Sequence, residues 1–157
     1  MIHVIVADDQ ALIRGALSAL IDLEDDMRVV AQAAHGREAI AAVEAYNSEN
    51  SRGDQALKAA STLVVIMDVE MHVMDGISAA AALKERGANA RVLMVTTFGR
   101  PGYVQRALDA GAVGFIVKDA PAEQLLEAIR RTSQGLRTVD PTLAVDALTK
   151  GQSPLSA

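Results

Sequence analysis

Leu63-Val-Val-Ile-Met67, followed at once by Asp68, is the stretch on which the fold turns. It is short, continuously apolar and rich in β-branched residues, and it ends on a carboxylate. A run of this kind reads as a strand covered on both faces, not one with alternating dry and wet sides. Four more runs are of the same kind: Ile2–Ala7 (IHVIVA), Met27–Ala33 (MRVVAQA), Arg91–Val95 (RVLMV) and Val113–Val117 (VGFIV). Segments of helical period lie between them. Ile13, Leu17, Leu20 and Ile21 make one apolar stripe, and Ala122, Leu125, Leu126 and Ile129 make another. Gly36–Tyr46, Gly76–Arg86 and Pro101–Ala110 supply three further helices, the last two stopping near Gly87 and Gly111. Strands alternating with helices predict βαβ units and a parallel sheet.

Right-handed crossovers leave few topologies open. The natural one at this length is an α/β, flavodoxin-like three-layer αβα sandwich with a five-stranded parallel sheet in the order 2-1-3-4-5. The chain has 157 residues, enough for one domain and a tail, and no cysteine. That excludes thiol catalysis, Cys-ligated metal centres and a disulfide framework. Apolar residues make up 50% but aromatics only 3%, so Ala, Val, Leu and Ile build the core, as suits helices packed on a sheet. A net charge of −5 argues against non-specific binding to nucleic acid or anionic membrane. No apolar run reaches the ~18 residues of a membrane span, and the start MIHVIVADD lacks a signal peptide's basic region and cleavage site. The expectation is a soluble, cytoplasmic protein without a membrane partner.

Two stretches break the alternation. Asn47–Ser61 is longer than the ~2–6 residues a helix-to-strand connection needs, and reads as an insertion that extends the second helix or forms a short one at Gln55–Ala60. After Gly135, Asp140-Pro141 has the look of a helix start, opening a helix to about Lys150, with a linker from Gly151.

The residues that could carry chemistry stand at the strand ends: Asp8-Asp9 after the first, Asp68 after the third, Thr96-Thr97 after the fourth and Lys118 after the fifth. In an open α/β sheet these positions converge on one crevice. Three crowded carboxylates call for a cation, and hard oxygen ligands suit Mg²⁺, or Mn²⁺, with positions left open for a phosphate. A lysine and a threonine hydroxyl at the same rim can hold phosphoryl oxygens. The chemistry indicated is phosphoryl transfer with a carboxylate nucleophile. Taken singly, Asp-Asp is a common turn or cap, and a lone lysine is usually solvated. The joint placement at four strand ends is what carries the signal.

With VADDQ (6–10), VVIMDVEMHVMDG (64–76), VLMVTTF (92–98) and GFIVKDA (114–120) in view, the sequence resembles the CheY-like receiver domain of two-component response regulators from Ile2 to about Gly135. The resemblance implies that Asp68 is the phosphoacceptor and that Asp8, Asp9, Asp68 and the backbone carbonyl of Glu70 hold the metal. It also implies that Thr96 is the switch hydroxyl, that Lys118 pairs with the phosphoryl group, and that Phe115 stands at the aromatic switch position. Lys118 followed by Asp119-Ala120 instead of proline is similar to the NarL/FixJ type. LIDLEDDM (20–27) and TTFGRPGY (96–103) resemble regulators related to DesR. A sensor histidine kinase is the implied donor, and homodimerisation on phosphorylation the implied response. Ser153-Pro-Leu-Ser156-Ala157 is similar to the entry of a helix-turn-helix output domain. The expected organisation is therefore a receiver over 1–135, then a helix and linker over 136–157 toward a DNA-binding domain beyond this sequence.

The sequence departs from the family pattern at two points. Met71-His72 replaces the usual Met-Pro, placing an imidazole near the site in what reads as a surface loop. Lys118-Asp119 replaces a frequent cis X-Pro bond, and a cis bond without proline costs about 2.5–4 kcal/mol, so trans is expected. His3 and His35 read as structural or solvated, and Arg130, Arg131 and Arg137 as charges serving the end of the fifth helix. Two rivals are a pseudo-receiver that never takes phosphate and a haloacid-dehalogenase-like phosphatase. The phosphatase places its nucleophile first in an Asp-x-Asp motif and its acidic pair last, the reverse of the order here. A flavodoxin-like FMN binder fails because Asp8-Asp9 would repel the phosphate.

Overall fold

The computed structural model describes residues 1–51, 62–97 and 102–139. Its elements in chain order are β1 (Ile2–Ala7), α1 (Ala11–Asp22), β2 (Met27–Ala33), α2 (Gly36–Ser51), β3 (Thr62–Asp68), α3 (Gly76–Glu85), β4 (Arg91–Thr96), α4 (Tyr103–Asp109), β5 (Gly114–Val117), α5 (Ala122–Ser133) and β6 (Thr138–Val139). All neighbouring strands pair in parallel, in the order β2-β1-β3-β4-β5-β6.

The continuous apolar runs behave as strands covered on both faces, and period two sorts their residues. Ile5, Leu63, Val65, Met67, Val92, Met94 and Phe115 turn to one face, packing on Ala39, Ile40 and Val43 of α2, Ile77 and Leu83 of α3, and Val104 and Ala107 of α4. Their alternates Val4, Val6, Val64, Ile66, Leu93, Val95 and Ile116 turn to the other, against Ile21 of α1 and Leu125, Leu126 and Ile129 of α5. The result is the αβα sandwich, with its core in two apolar layers on either side of the sheet.

The structure extends the expected sheet by one strand. Thr138 pairs with Gly114 and Val139 with Phe115, so the sheet continues into the segment read as tail. Two residues are too few for hydrophobic period to reveal. The strand is held by partners distant from that pattern: Arg131 Nε donates to Thr138 Oγ1 at 2.9 Å, and a Cβ on Gly114 would stand only 2.9 Å from the Thr138 carbonyl oxygen. The front of the Asn47–Ser61 insertion continues α2 to Ser51; the short helix expected at Gln55–Ala60 lies outside the described residues, as does everything expected from Asp140 onward. The fourth helix begins at Tyr103, behind a left-handed Gly102 with φ 83°, instead of at Pro101. Gly87 and Gly111 take left-handed φ values of 62° and 100° just past α3 and α4, as their stop signals required.

The loop between β3 and α3 positions the site. Asp75 caps α3 by accepting from Ser78 N at 2.7 Å. Gly76 N donates to Val69 O at 2.9 Å, and a Cβ on Gly76 would stand 2.1 Å from the Asp68 carbonyl oxygen. Only glycine permits this approach of α3 to the end of β3. Among the described residues no peptide bond is cis, so Lys118-Asp119 is trans as expected. No helix among them is long and apolar enough to cross a membrane.

Candidate functional site

The strand ends converge as their sequence positions required. Asp68 is the last residue of β3 and pairs with Val95, while Thr96 closes β4 beside Val117. Asp8 and Asp9 leave β1, whose Ala7 pairs with Met67. Lys118 leaves β5, and its backbone N donates to Thr96 O at 2.7 Å. A crevice of about 560 Å³ opens over these ends, lined by Asp9, Asp68, Glu70, Thr96 and Lys118, with α4's first turn on its far wall.

Asp8, Asp9 and Asp68 each offer a carboxylate oxygen within 4.8 Å of the others. Asp8 is 1% exposed and Asp68 5%. Lys118 Nζ bridges the two, 2.8 Å from Asp8 Oδ2 and 3.0 Å from Asp68 Oδ2. The second oxygens are held by the backbone: Gln10 N donates to Asp8 Oδ1 at 2.8 Å, and Glu70 N to Asp68 Oδ1 at 3.3 Å. Burial pushes the Asp68 carboxyl up to about 6, against the hydrogen bond and charge of Lys118 and with the added repulsion of Asp8. Burial works against the charge on Lys118 too, but its hydrogen bonds to Asp8 and Asp68 outweigh that and hold its pKa above the usual lysine range.

The cluster fits a divalent cation. Lys118 satisfies two of the three carboxylates and leaves Asp9 facing the crevice. The donors are hard oxygens beside an open volume, which suits an ion that keeps positions free for further oxygen ligands. Asp68 thereby combines a poised carboxylate oxygen, a nearby ammonium and room for a tetrahedral group.

Thr96 lies at the crevice wall, 2% exposed. Phe115 does not reach the crevice: it is fully buried, in the apolar layer that contains Val104 and Ala107 of α4. His72 is at the crevice mouth, 3.7 Å from Asp9 Oδ2. His3 and His35 each make a contact, within the expected structural or solvated roles. His3 Nδ1 stands 2.5 Å from the Tyr46 hydroxyl, and His35 Nδ1 accepts from Glu38 N at 3.3 Å at the start of α2. Arg130 stands in the last turn of α5, as expected, and also ties that helix to Glu24 and Asp26.

Three contributors were not legible. Arg14 donates to the Asp8 carbonyl at 2.7 Å, fixing the turn that carries the acidic pair. Tyr103 donates to Glu70 Oε1 at 3.1 Å across the crevice, and the Arg106 guanidinium lies 5.9 Å from its ring centre. Their i, i+3 spacing on the helix after β4 was the available signal, since it puts both on one face.

Comparison with known proteins agrees with this geometry. Residues 4–130 match the family model described as the response regulator receiver domain. The chain is 37% identical over 156 residues to the transcriptional regulatory protein YvfU of Bacillus subtilis, covering 99% of this chain and 70% of that one. It is 39% identical over 146 residues to DesR of the same organism, covering 93% and 65%. The VraR response regulator of Staphylococcus aureus is 31% identical, with 92% and 62% covered, so this chain spans about two thirds of its relatives' length. Among solved structures, a DNA-binding LuxR-family response regulator from Staphylococcus aureus superposes with a TM-score of 0.71 at 31% identity, covering 85% of this chain and 99% of that one. The receiver domain of NarL from Mycobacterium tuberculosis gives 0.72 at 27%, covering 85% and 96%. The chain belongs to the response regulator family and carries the receiver domain of a two-component system.

Proposed function

We propose that Asp68 accepts a phosphoryl group from the phosphohistidine of a sensor histidine kinase, and that this acyl phosphate switches a transcription regulator. The observation that carries the reading is the convergence of Asp8, Asp9 and Asp68 with Lys118 bridging two of them. Asp8, Asp9, Asp68 and the Glu70 backbone carbonyl would hold Mg²⁺ or Mn²⁺. Bound there, the cation neutralises the carboxylates and draws charge from the phosphoryl oxygens. An Asp68 oxygen forms the new P–O bond as the P–N bond of the donor breaks, its electron pair leaving with the imidazole. Lys118 exchanges its contact with Asp68 for a phosphoryl oxygen, and the Thr96 hydroxyl turns toward another. Phe115 relays that movement to α4 through the layer it shares with Val104 and Ala107. Water later hydrolyses the acyl phosphate, so the domain catalyses only its own modification and reversal.

The switch biases homodimerisation and, through the segment after the receiver, a helix-turn-helix domain that contacts DNA. The setting is cytoplasmic. Incubation with a small phosphodonor and Mg²⁺, followed by intact-mass measurement, tests the core of the reading. A single base-labile phosphoryl group is expected on the wild type and none on Asp68→Asn. Full labelling of Asp68→Asn overturns Asp68 as the acceptor, and no labelling of wild type with any donor overturns the reading and leaves the pseudo-receiver.

A further inference from the structure

His72 is a feature of the crevice that phosphoryl transfer does not use. It stands 93% exposed at the mouth, with Nε2 3.7 Å from Asp9 Oδ2. That is beyond hydrogen-bond reach, yet within the span of two ligand atoms that each sit about 2.0–2.2 Å from one cation. The turn beneath it is tightly specified. Met74 N donates to the His72 carbonyl at 2.7 Å, closing a γ-turn around Val73, whose φ is 68°. This turn is rare, and a β-branched residue makes it strained. It is clamped on its far side by Gly36 N, which donates to Met74 O at 2.9 Å, with no room for a side chain at residue 36. Asp75 then enters the cap of α3. The backbone around His72 is thus fixed between two helix starts, which keeps its exposed ring within reach of the carboxylate that faces the crevice.

Resting on the metal site proposed above, we infer that His72 is a selectivity ligand that gives this oxygen site one nitrogen donor. Imidazole adds little for Mg²⁺, which binds oxygen and dehydrates reluctantly. It adds a little for Mn²⁺ and much for Co²⁺, Ni²⁺ and Zn²⁺, which favour nitrogen donors. The site is therefore tuned toward transition-metal ions relative to an all-oxygen cluster. Its loading, and with it phosphorylation, responds to which divalent ion is available.

The test compares tag-free, metal-stripped wild type, His72→Ala and Asp9→Asn at one fixed pH, with Ni²⁺ affinity from calorimetry and Mg²⁺ affinity from amide chemical shifts. His72→Ala is expected to weaken Ni²⁺ by about tenfold and Mg²⁺ by less than about twofold. A Ni²⁺-over-Mg²⁺ preference that falls by less than about threefold overturns the inference. Pulsed electron resonance of bound Mn²⁺ should show nitrogen coupling in wild type that disappears in His72→Ala, and its absence from wild type overturns direct ligation. If Asp9→Asn leaves Mg²⁺ and Ni²⁺ binding intact, the metal site itself is wrong. If Asp9→Asn abolishes Mg²⁺ binding but not Ni²⁺, nickel sits elsewhere and the role of His72 falls alone.

Discussion

At the scale of single residues, the site stores a cost that the fold must carry. Asp68 is raised from 3.8 to about 6, chiefly by burial. Between those values the folded chain keeps a proton that the unfolded chain has released. The stability contributed by this proton is fully present below pH 3.8 and is lost as the pH rises through 6. The shift corresponds to about 3 kcal/mol at neutral pH and above. Asp68→Asn should therefore stabilise the metal-free protein by up to about that amount at pH 8. Below about pH 4 it should bring no gain. Urea unfolding in a chelator at the two pH values checks this, and equal gains at both would contradict it. Added Mg²⁺ should narrow the difference, because the ion stabilises the wild-type cluster more. Gly76 fails in the opposite direction. A Cβ there would lie 2.1 Å from the Asp68 carbonyl oxygen, which is backbone and cannot step aside cheaply. Gly76→Ala should destabilise the fold by at least about 1–3 kcal/mol, and a loss below about 0.5 kcal/mol would show that α3 slides freely on β3.

At the scale of elements, legibility tracked the range of the interactions. The five longer strands and the helix stripes announce themselves because covering a sheet on both faces dictates composition residue by residue, as Val4 to Ala7 and Leu63 to Met67 show. Asp8, Asp9, Asp68 and Lys118 were legible for a related reason: each directly ends or succeeds such a strand, so its place in the fold is local information. Thr138–Val139 is a strand only because β5 and Arg131 hold it, and neither is visible in a two-residue window. Arg14, Tyr103 and Arg106 act on the crevice from helices; the i, i+3 spacing of the last two puts them on one face, but nothing local says that this face meets the crevice. The α3 start lies between these cases. The helix read from Gly76 does begin there, and the structure adds the Asp75 cap to Ser78 N. Asp75→Ala should cost about 1 kcal/mol, measured by urea unfolding, and should loosen the loop that carries Glu70 and His72. Asp75→Asn or Asp75→Ser should recover most of it, since both keep an acceptor for the same N–H.

At the scale of the whole molecule, the sheet separates two titrating sites. His3 and Asp8 are five residues apart on and just past β1, about 16 Å at strand rise, and Asp68 stands level with Asp8. Burial, with the N-terminal charge and Arg28, holds the His3 imidazole below its ordinary value of 6.5. The unfolded chain therefore gains its proton first. As the pH falls through 6.5, stability is lost, and the loss levels off once the folded imidazole has also protonated. Over much of the same range Asp68 works in the other direction, gaining stability as the pH falls. The metal-free profile between pH 4 and 7 is the difference of two opposed slopes at opposite ends of one sheet. His3→Gln should remove the acid-side loss, leaving a steeper gain on acidification, while Asp68→Asn should remove that gain. Groups this far apart with no shared partner should act independently, so the double variant's change should equal the sum of the singles within about 0.5 kcal/mol at each pH. Urea unfolding of the four proteins across that range decides it. A coupling above about 1 kcal/mol would mean that β1 transmits strain from its amino end to the acidic cluster, and that the sheet takes part in the switch instead of standing beneath it.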